Sequence, residues 1–294
     1  MDKFNKLDIL NMTRFEGEEG LISLLTFTNS LSFQPVIDGM DQQVLLIMER
    51  VTPGKELEHW VQSNIRVCVQ RITPSQLEKW LISSDNHDVV QGLVRGDVVI
   101  DRNGYLQKLR DQFIEWPPLL RLQKMLSEFS HFARSYMKAK QDIKEGHVLD
   151  AYANVLASLH YWAHIAIVEA GMHPELTVWD QIKRVNLGIY KLYEELTTST
   201  ETVEQRVQLV LLACEFSVLT KMESSCALLM NIVSSREQPW SPSELMQHKD
   251  LIGLSIDISL LLQKLVKRGC IHEVALAAMG KQTELVELRY TISS

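Results

Sequence analysis

The fold of this chain is decided by the stretch Leu24–Met48, LLTFTNSLSFQPVIDGMDQQVLLIM. Its first residues, Leu24–Thr28, are apolar with β-branched threonines, which favours a strand. Its last residues, Val44–Met48, form a continuous apolar run, typical of a strand buried on both faces. A polar turn at Ser30 follows the first run, and Asp41 stands eleven residues later at the entrance of the second. The stretch therefore predicts two strands, with a serine turn after the first and a carboxylate before the second.

The composition is that of an ordinary soluble globular protein. The chain has 294 residues, 46% of them hydrophobic and 23% charged, enough for two or three domains with cores of their own. No apolar run reaches the length of a membrane span, and the N-terminal MDKFNKLDIL lacks the pattern of a secretory signal. We therefore expect a cytoplasmic protein with no membrane partner.

The charge distribution weighs against a strong, non-specific hold on nucleic acid. The net charge is −7, and acidic residues outnumber basic ones in each of the segments 1–118, 119–222 and 223–294. Neutralising phosphates requires local positive charge, which none of these segments has in excess. The four cysteines are far apart and form no CxxC pair, which favours free thiols over disulfides or a zinc site.

The first predicted domain, residues 1–118, mixes strands and helices. A helix is expected within residues 1–23, and a third strand within Asn64–Gln70, where apolar and polar residues alternate. Thr73-Pro74-Ser75-Gln76 is typical of a capping box that opens a helix to about Ser83. A fourth strand at Val98–Ile100 and a helix to Trp116 complete the domain. Pro117-Pro118 is expected to end that helix and to mark the boundary.

Helical periodicity dominates the second predicted domain, residues 119–222. Four segments carry it: Leu119–Gln141, Asp150–Ala170, Val178–Leu196 and Thr202–Met222. Because the links between them are short, the pattern predicts an antiparallel helical bundle.

The third predicted domain, residues 223–294, has the element order of a winged helix-turn-helix. Helices are expected at Cys226–Ser234, from the capping box Ser241–Glu244 to about His248, and at Ile256–Arg268. Two strands, Cys270–Ala278 and Leu285–Ile292, would then form the wing. The whole chain is thus predicted to be α+β: a mixed sheet with flanking helices, a central helical bundle and a C-terminal winged helix.

The arrangement around Ser30 and Asp41 resembles the signature of the nucleotidyltransferase superfamily, of the polymerase-beta and kanamycin-nucleotidyltransferase type. In that signature a Gly-Ser turn is followed, on the next strand, by Asp-x-Asp. Asn29 replaces the glycine here and Gln43 replaces the second aspartate. The resemblance implies that Asn29 and Ser30 would contact nucleotide phosphates, and that Asp41 and Gln43 would be the metal ligands. For an active enzyme it also implies Mg²⁺ or Mn²⁺ and a nucleoside triphosphate as cofactors.

The set of acidic residues that such chemistry requires is incomplete in this sequence. Two divalent cations beside a triphosphate need negative oxygen ligands, and Gln43 offers only a neutral one. The third carboxylate should come from the neighbouring strand, yet no Asp or Glu lies between Glu58 and Glu78. One carboxylate of three remains, which favours a catalytically silent domain over an active one with rearranged ligands.

The whole chain is similar to a bacterial family described as nucleotidyltransferase-like. The resemblance is carried by VVIDRNGYLQKLRDQF, by DAYANVLASLHYWAHIAIVEAGMHPELTVWDQIK and by the KLYEEL run, and it covers most of residues 20–294. It implies the same three-part order and, by analogy with kanamycin-type enzymes, a homodimer. In those enzymes the helical domain supplies a base that activates the acceptor, which would make Glu169 a catalytic candidate here.

Two further patterns are open to a catalytic or a structural interpretation. His160 and His164 have the i, i+4 spacing of metal ligands, but packing in an aromatic-rich bundle, with one histidine at the surface, is favoured. Asp101, in the sequence Asp101-Arg102-Asn103-Gly104, is explained by a turn and a helix start.

The helix Ile256–Arg268 would be the recognition helix of a DNA-binding winged helix. Its candidates for DNA contact are Gln263, Lys264, Lys267 and Arg268, with the basic residues gathered at the C-terminal end. The acidic residues around the wing make a contact with protein at least as well supported as one with DNA.

Three functions remain open from the sequence. The first is a pseudoenzyme: a non-catalytic regulator or adaptor whose degenerate pocket holds a nucleotide or other small ligand. The second is a metal-dependent nucleotidyltransferase that acts on a small-molecule or protein hydroxyl. The third is a DNA-binding regulator that uses the winged helix.

Overall fold

The computed structural model describes residues 13–28, 40–62, 64–82, 92–93, 96–114, 117–175, 177–277 and 286–292. The chain divides into two compact units, Met1–Glu115 and Trp116–Ser294. In the described part of the chain, no helix combines the length and apolar character needed to cross a membrane.

The first unit is built on a mixed sheet. Its strands, in the order β3-β4-β2-β1-β5, are β1 (Leu21–Thr28), β2 (Gln42–Met48), β3 (Leu57–Gln62), β4 (Ile65–Ile72) and β5 (Asp97–Asp101). β2 and β4 run parallel, and the other neighbouring pairs are antiparallel. The predicted mixed α+β fold is confirmed.

The sheet has a hydrophobic core on each of its faces. Leu45 and Ile47 of β2 pack on one side with residues of α2 (Pro74–Ile82) and α3 (Tyr105–Ile114). Val44 and Leu46 pack on the other. This two-sided burial is why the β2 sequence is a continuous apolar run without alternation.

The first unit contains one strand that the sequence pattern did not predict. The strand β3 was missed, because it is an edge strand whose apolar Leu57 and Val61 are 54% and 73% exposed, so its residues lack the usual pattern of an apolar buried face. The helix expected within residues 1–23 is seen as the turn α1 (Thr13–Glu16), and β1 begins at Leu21; residues 1–12 lie outside the described part of the chain.

The second unit begins with a bundle of long helices. They are α4 (Pro118–Lys144), α5 (Val148–Glu169), α6 (Val178–Val185), α7 (Leu187–Thr198) and α8 (Val203–Ser225). α4, α5 and α8 pack against one another, as predicted for a bundle.

Two details of these helices differ from the expectation. Pro118 is the first residue of α4, where proline is tolerated because the first N–H of a helix has no partner to lose. The single segment expected at Val178–Leu196 is two helices, because Asn186 adopts an extended conformation and its side chain accepts a hydrogen bond from the Ile189 N–H at 3.2 Å.

The winged helix-turn-helix forms the end of the same unit. It consists of α9 (Ala227–Val233), α10 (Pro242–Met246), α11 (Ile258–Arg268) and the hairpin β6 (His272–Ala277) with β7 (Val286–Thr291). Gly269 ends α11 in the left-handed conformation, at φ 76°.

Hydrogen bonds fix the start of α11 against α4. The Asp257 N–H donates to Ser130 Oγ at 2.8 Å, and Arg134 donates to the Asp257 carboxylate at 3.1 Å. The helix α11 is therefore held against the bundle by its N-terminal end.

Candidate functional site

Asp41, the first of the predicted metal ligands, is exposed immediately before β2. Its Oδ2 accepts the Arg66 N–H at 2.8 Å, and its own N–H donates to the Arg66 carbonyl at 2.8 Å. One carboxylate oxygen is therefore already engaged by the backbone at the start of β4.

Gln43, the second predicted ligand, lies in the middle of a row that crosses the sheet. The strand register sets it beside Phe27 of β1 and beside Cys68 of β4, and Cys68 is in turn beside His59 of β3. The neighbouring strand thus presents a thiol next to Gln43. Asn29 and Ser30, the expected phosphate contacts, lie outside the described residues.

This set of donors does not fit the metals that the superfamily uses. Mg²⁺ and Mn²⁺ take hard oxygen ligands, and two such ions beside a triphosphate require several carboxylates. Asp41, Gln43 and Cys68 offer one carboxylate that is already hydrogen-bonded, one neutral amide and one thiol. Among the residues that the structure describes, no group of three or more His, Cys, Asp or Glu could hold a metal ion.

Asp101 is a structural residue, as the sequence indicated. Its carboxylate accepts hydrogen bonds from Ser23 Oγ and the Leu106 N–H, both at 2.8 Å, and from the Gln107 N–H at 3.0 Å. Burial raises the pKa of Asp101, but these donors outweigh it and the pKa is lowered. The carboxylate thus fixes the start of α3 to β1.

The helical bundle contains a buried charged group that we call the bundle triad, made of Lys124, Glu128 and His164. Lys124 Nζ lies 2.7 Å from Glu128 Oε1, and His164 Nδ1 lies 3.2 Å from Glu128 Oε2. The three side chains are 3%, 1% and 0% exposed. A ligand therefore cannot reach the triad unless α4 and α5 separate.

The contacts of Glu128 with Lys124 and His164 hold it in its ionised form. Burial raises the pKa of Glu128, but the attraction of Lys124 and the hydrogen bond from His164 act in the opposite direction and are stronger, so the pKa is lowered. The carboxylate is therefore charged at neutral pH inside the bundle.

His160 lies at the half-buried edge of this group. Its ring is 4.4 Å from that of His164 and 6.1 Å from that of Trp179, which stacks on Tyr193 at 3.8 Å. The favoured interpretation of the histidine pair, aromatic-rich packing, agrees with these contacts. The sequence did not reveal that His164 is bound to a carboxylate.

Glu169, the catalytic candidate, ends α5. Its carboxylate accepts from Lys221 Nζ of α8 at 2.8 Å, and its carbonyl accepts from Arg121 at 2.8 Å. Its role as an acceptor-activating base stays a prediction from the resemblance.

The four DNA-contact candidates lie on two sides of α11. Ser259, Gln263 and Lys267 form an exposed polar row, four residues apart along the helix. Lys264 and Arg268, also four residues apart, instead line a cleft that faces α4 and α8. Lys267 belongs to the exposed row and also borders the cleft. Their contact with DNA stays a prediction.

Sequence reasoning missed the triad residues Lys124 and Glu128, although a signal was present. They stand at i and i+4 on a helix whose neighbouring residues Met125, Leu126 and Phe129 are apolar and buried. A charged pair inside an apolar segment of a central helix indicates a buried ionic contact, because an unpaired buried charge is not tolerated.

Comparison with known proteins covers the chain almost from end to end. Family models match residues 7–121 (nucleotidyltransferase-like), 122–221 (YgxA-like substrate binding domain) and 227–292 (helix-turn-helix domain). YgxA of Bacillus subtilis (strain 168) is 30% identical over 244 residues, which are 83% of each chain. A solved structure of a nucleotidyltransferase-like protein from Exiguobacterium sibiricum 255-15 is 26% identical, has a TM-score of 0.81, and is matched over 96% of this chain and 97% of that one. With this fold, this order of domains and this similarity, the chain belongs to the family of nucleotidyltransferase-like proteins that includes YgxA.

Proposed function

We propose that this protein does not transfer nucleotides, and that it acts as a cytoplasmic regulator or adaptor which binds a nucleotide or other small ligand. The observation that carries the proposal is the register between β2 and β4, which sets Cys68 beside Gln43 where an active nucleotidyltransferase needs carboxylates. The match of residues 122–221 to a substrate binding domain supports a binding role.

The chemical argument rests on the charge of the metal ligands. Nucleotidyl transfer places two divalent cations between the attacking hydroxyl and the triphosphate, and the carboxylates neutralise those cations. Of the three positions, only Asp41 has a charge, and its Oδ2 accepts a backbone N–H at 2.8 Å. A site with one such ligand would hold two cations too weakly to organise an in-line attack.

The proposal is tested by measuring pyrophosphate release. The chain is incubated with each of ATP, GTP, CTP and UTP, together with Mg²⁺ or Mn²⁺, and compared with the Asp41→Asn variant. We expect the same background rate from both proteins. Metal-dependent release that the Asp41→Asn variant lacks would overturn the proposal and establish the alternative, an active nucleotidyltransferase.

Binding is measured separately, by thermal unfolding with the same nucleotides. A ligand that binds only the folded chain must raise the melting temperature. An increase that does not require a divalent cation supports binding without transfer. No increase with any nucleotide would restrict the binding role to ligands of another class.

DNA binding by the winged helix is a second candidate. It is favoured by the match to a helix-turn-helix domain and by the exposed polar row of Ser259, Gln263 and Lys267 on α11. Retention on duplex DNA should then fall steeply as salt is added, and Gln263→Ala should weaken sequence preference more than it weakens the salt dependence. Equal retention of the wild type and the Gln263→Ala variant on every sequence would exclude base reading by this row.

The homodimer expected from the resemblance stays a prediction. Light scattering of the full chain, over a range of concentrations, measures it directly.

A further inference from the structure

The second unit contains an open cleft between the bundle and the recognition helix. Its volume is about 430 Å³, which lies in the range of small-molecule sites. Residues of α4, α8 and α11 line it, so the helical bundle and the winged helix both contribute to its walls.

Four of the residues that line the cleft are basic and one is acidic. The basic residues are Lys140 of α4 and Lys264, Lys267 and Arg268 of α11. The acidic residue, Glu215 of α8, is 3.0 Å from Lys140 Nζ, and its charge also acts on Lys264. The α11 wall thus presents three basic side chains to the cleft, although the protein as a whole is acidic.

Lys264 is placed to bind an anion. Its Nζ lies 3.0 Å from the Sδ of Met137, and a thioether is a weak hydrogen-bond acceptor. Burial lowers the pKa of Lys264, and the positive charges of Lys267 and Lys140 lower it further, against the smaller opposite effect of Glu215. A negatively charged ligand would supply a strong acceptor and relieve the repulsion among these cations.

The remaining lining is apolar and aromatic. It consists of Met137, which is 37% exposed, and of Tyr136 and Met222, which are 3% and 2% exposed. Methionine side chains adapt their shape to an apolar ligand surface. The cleft thus combines one basic wall with an apolar floor.

We propose that this cleft binds a small amphipathic anion, a molecule with a phosphate group and an apolar or aromatic body. The phosphate would contact Lys264, Lys267 and Arg268, and the body would lie against Met137 and Met222. The inference deepens the proposed function, since it locates a ligand site in the second unit, built from residues other than those of the degenerate sheet site. It does not depend on whether that sheet site is catalytic.

The location of the cleft has a regulatory consequence. Lys267 lies both at the cleft and on the exposed polar row of α11, so if α11 binds DNA this side chain cannot contact a ligand phosphate and a DNA phosphate at once. A bound anion would also bridge α11 to α4 and α8.

The test uses inorganic pyrophosphate without divalent cations, at an ionic strength held constant with sodium chloride. Thermal unfolding is followed for the wild type, for a Lys264→Met/Lys267→Met variant and for a Lys249→Ala control, whose lysine is exposed on the same domain outside the cleft. We expect pyrophosphate to raise the melting temperature of the wild type and the control, and to raise that of the double variant several-fold less. Equal increases in melting temperature in all three proteins, or no increase in any of them, would contradict the proposal that this cleft binds the anion.

The apolar half of the proposal is tested with 8-anilinonaphthalene-1-sulfonate, an aromatic sulfonate that fluoresces in apolar surroundings. The wild type should bind it, the double variant should bind it several-fold more weakly, and pyrophosphate should displace it. Fluorescence that pyrophosphate leaves unchanged would refute a shared cleft. Neither measurement involves Asp41 or metal-dependent turnover, so failure here is distinguishable from failure of the non-catalytic proposal.

Discussion

Glu128 of α4 and His164 of α5 face each other inside the bundle, with 3.2 Å between Oε2 and Nδ1 and with 1% and 0% of their side chains exposed. Lys124, one turn earlier on α4, contacts the other carboxylate oxygen at 2.7 Å. An intact buried ion pair adds little stability over apolar packing, but the loss of one partner leaves an uncompensated buried charge. The pairing therefore makes the packing of α4 on α5 sensitive to single substitutions.

Glu128→Ala should lower the free energy of unfolding by roughly 3–5 kcal/mol, because Lys124 then keeps a buried charge without its carboxylate. Urea unfolding of the full chain measures this. The control Glu145→Ala, at the exposed C-terminal end of the same helix, should change it by less than about 0.5 kcal/mol.

A double variant separates the charge effect from packing. Lys124→Met/Glu128→Leu removes both members of the pair and keeps side chains of similar volume, so it should lose less stability than Glu128→Ala alone. A loss as large as that of the single variant would show that packing, and not the unmatched charge, determines the result.

How much the sequence could predict differs between the sheet and the bundle. β2 was predictable because a strand buried on both faces has a continuous apolar sequence, and the missing carboxylates are visible directly in Gln43 and in the segment from Glu58 to Glu78. The edge strand β3 was not, because two of its three large apolar side chains, Leu57 and Val61, face solvent.

The bundle triad and the cleft depend on how helices are rotated against one another. Periodicity shows that Lys264 and Arg268 share a face of α11, but it cannot show which helix that face meets. His164 likewise meets Glu128 only because α5 packs against α4, a contact between residues far apart in sequence. Tertiary packing, which local patterns do not encode, supplied both features.

The first unit should lose stability in acid, because protonation weakens the ion pairs that Arg71 forms with two carboxylates. This side chain, 7% exposed, contacts Glu18 at 2.6 Å and Glu58 at 2.8 Å, and these carboxylates are 27% and 29% exposed. The hydrogen bond from Arg71 lowers the pKa of Glu18 below its ordinary 4.5, against the effect of burial. Because the folded pKa is the lower one, the contribution is complete above the ordinary value of 4.5 that applies to the unfolded chain, and is lost as the pH falls through the folded pKa.

Arg71→Met should remove this acid dependence and lower stability by about 2 kcal/mol near neutral pH, less than for a fully buried pair because both carboxylates retain solvent. Denaturant unfolding between pH 3 and pH 7 measures both quantities. Arg50→Met, at an exposed arginine of the same unit, is the control. If the Arg71→Met variant keeps the wild-type pH profile, another group causes it.

Asp101→Ala should destabilise the first unit by about 2 kcal/mol. The substitution removes the acceptor for two N–H groups at the start of α3 and leaves the buried hydroxyl of Ser23 without this carboxylate. Asp97→Ala, at the exposed start of the same strand, should be nearly neutral. Nucleotide-dependent shifts in melting temperature should be the same in both variants, and a selective loss in Asp101→Ala would instead assign Asp101 to a ligand site.

The assignment of the degenerate metal site to the sheet can be tested by restoring the missing carboxylates. If Gln43 and Cys68 occupy the two empty carboxylate positions, Gln43→Asp/Cys68→Asp should create a site for Mn²⁺ together with Asp41, since three carboxylates on adjacent strands suit a hard divalent cation. Electron paramagnetic resonance of free Mn²⁺ measures its binding. The matched control is Gln43→Asn/Cys68→Asn, which has the same size and no added charge, and adding Asp41→Asn to the acidic variant should abolish the gain. Circular dichroism establishes that each variant is folded, and a folded acidic variant that binds no more Mn²⁺ than the control would contradict the assignment of these two positions.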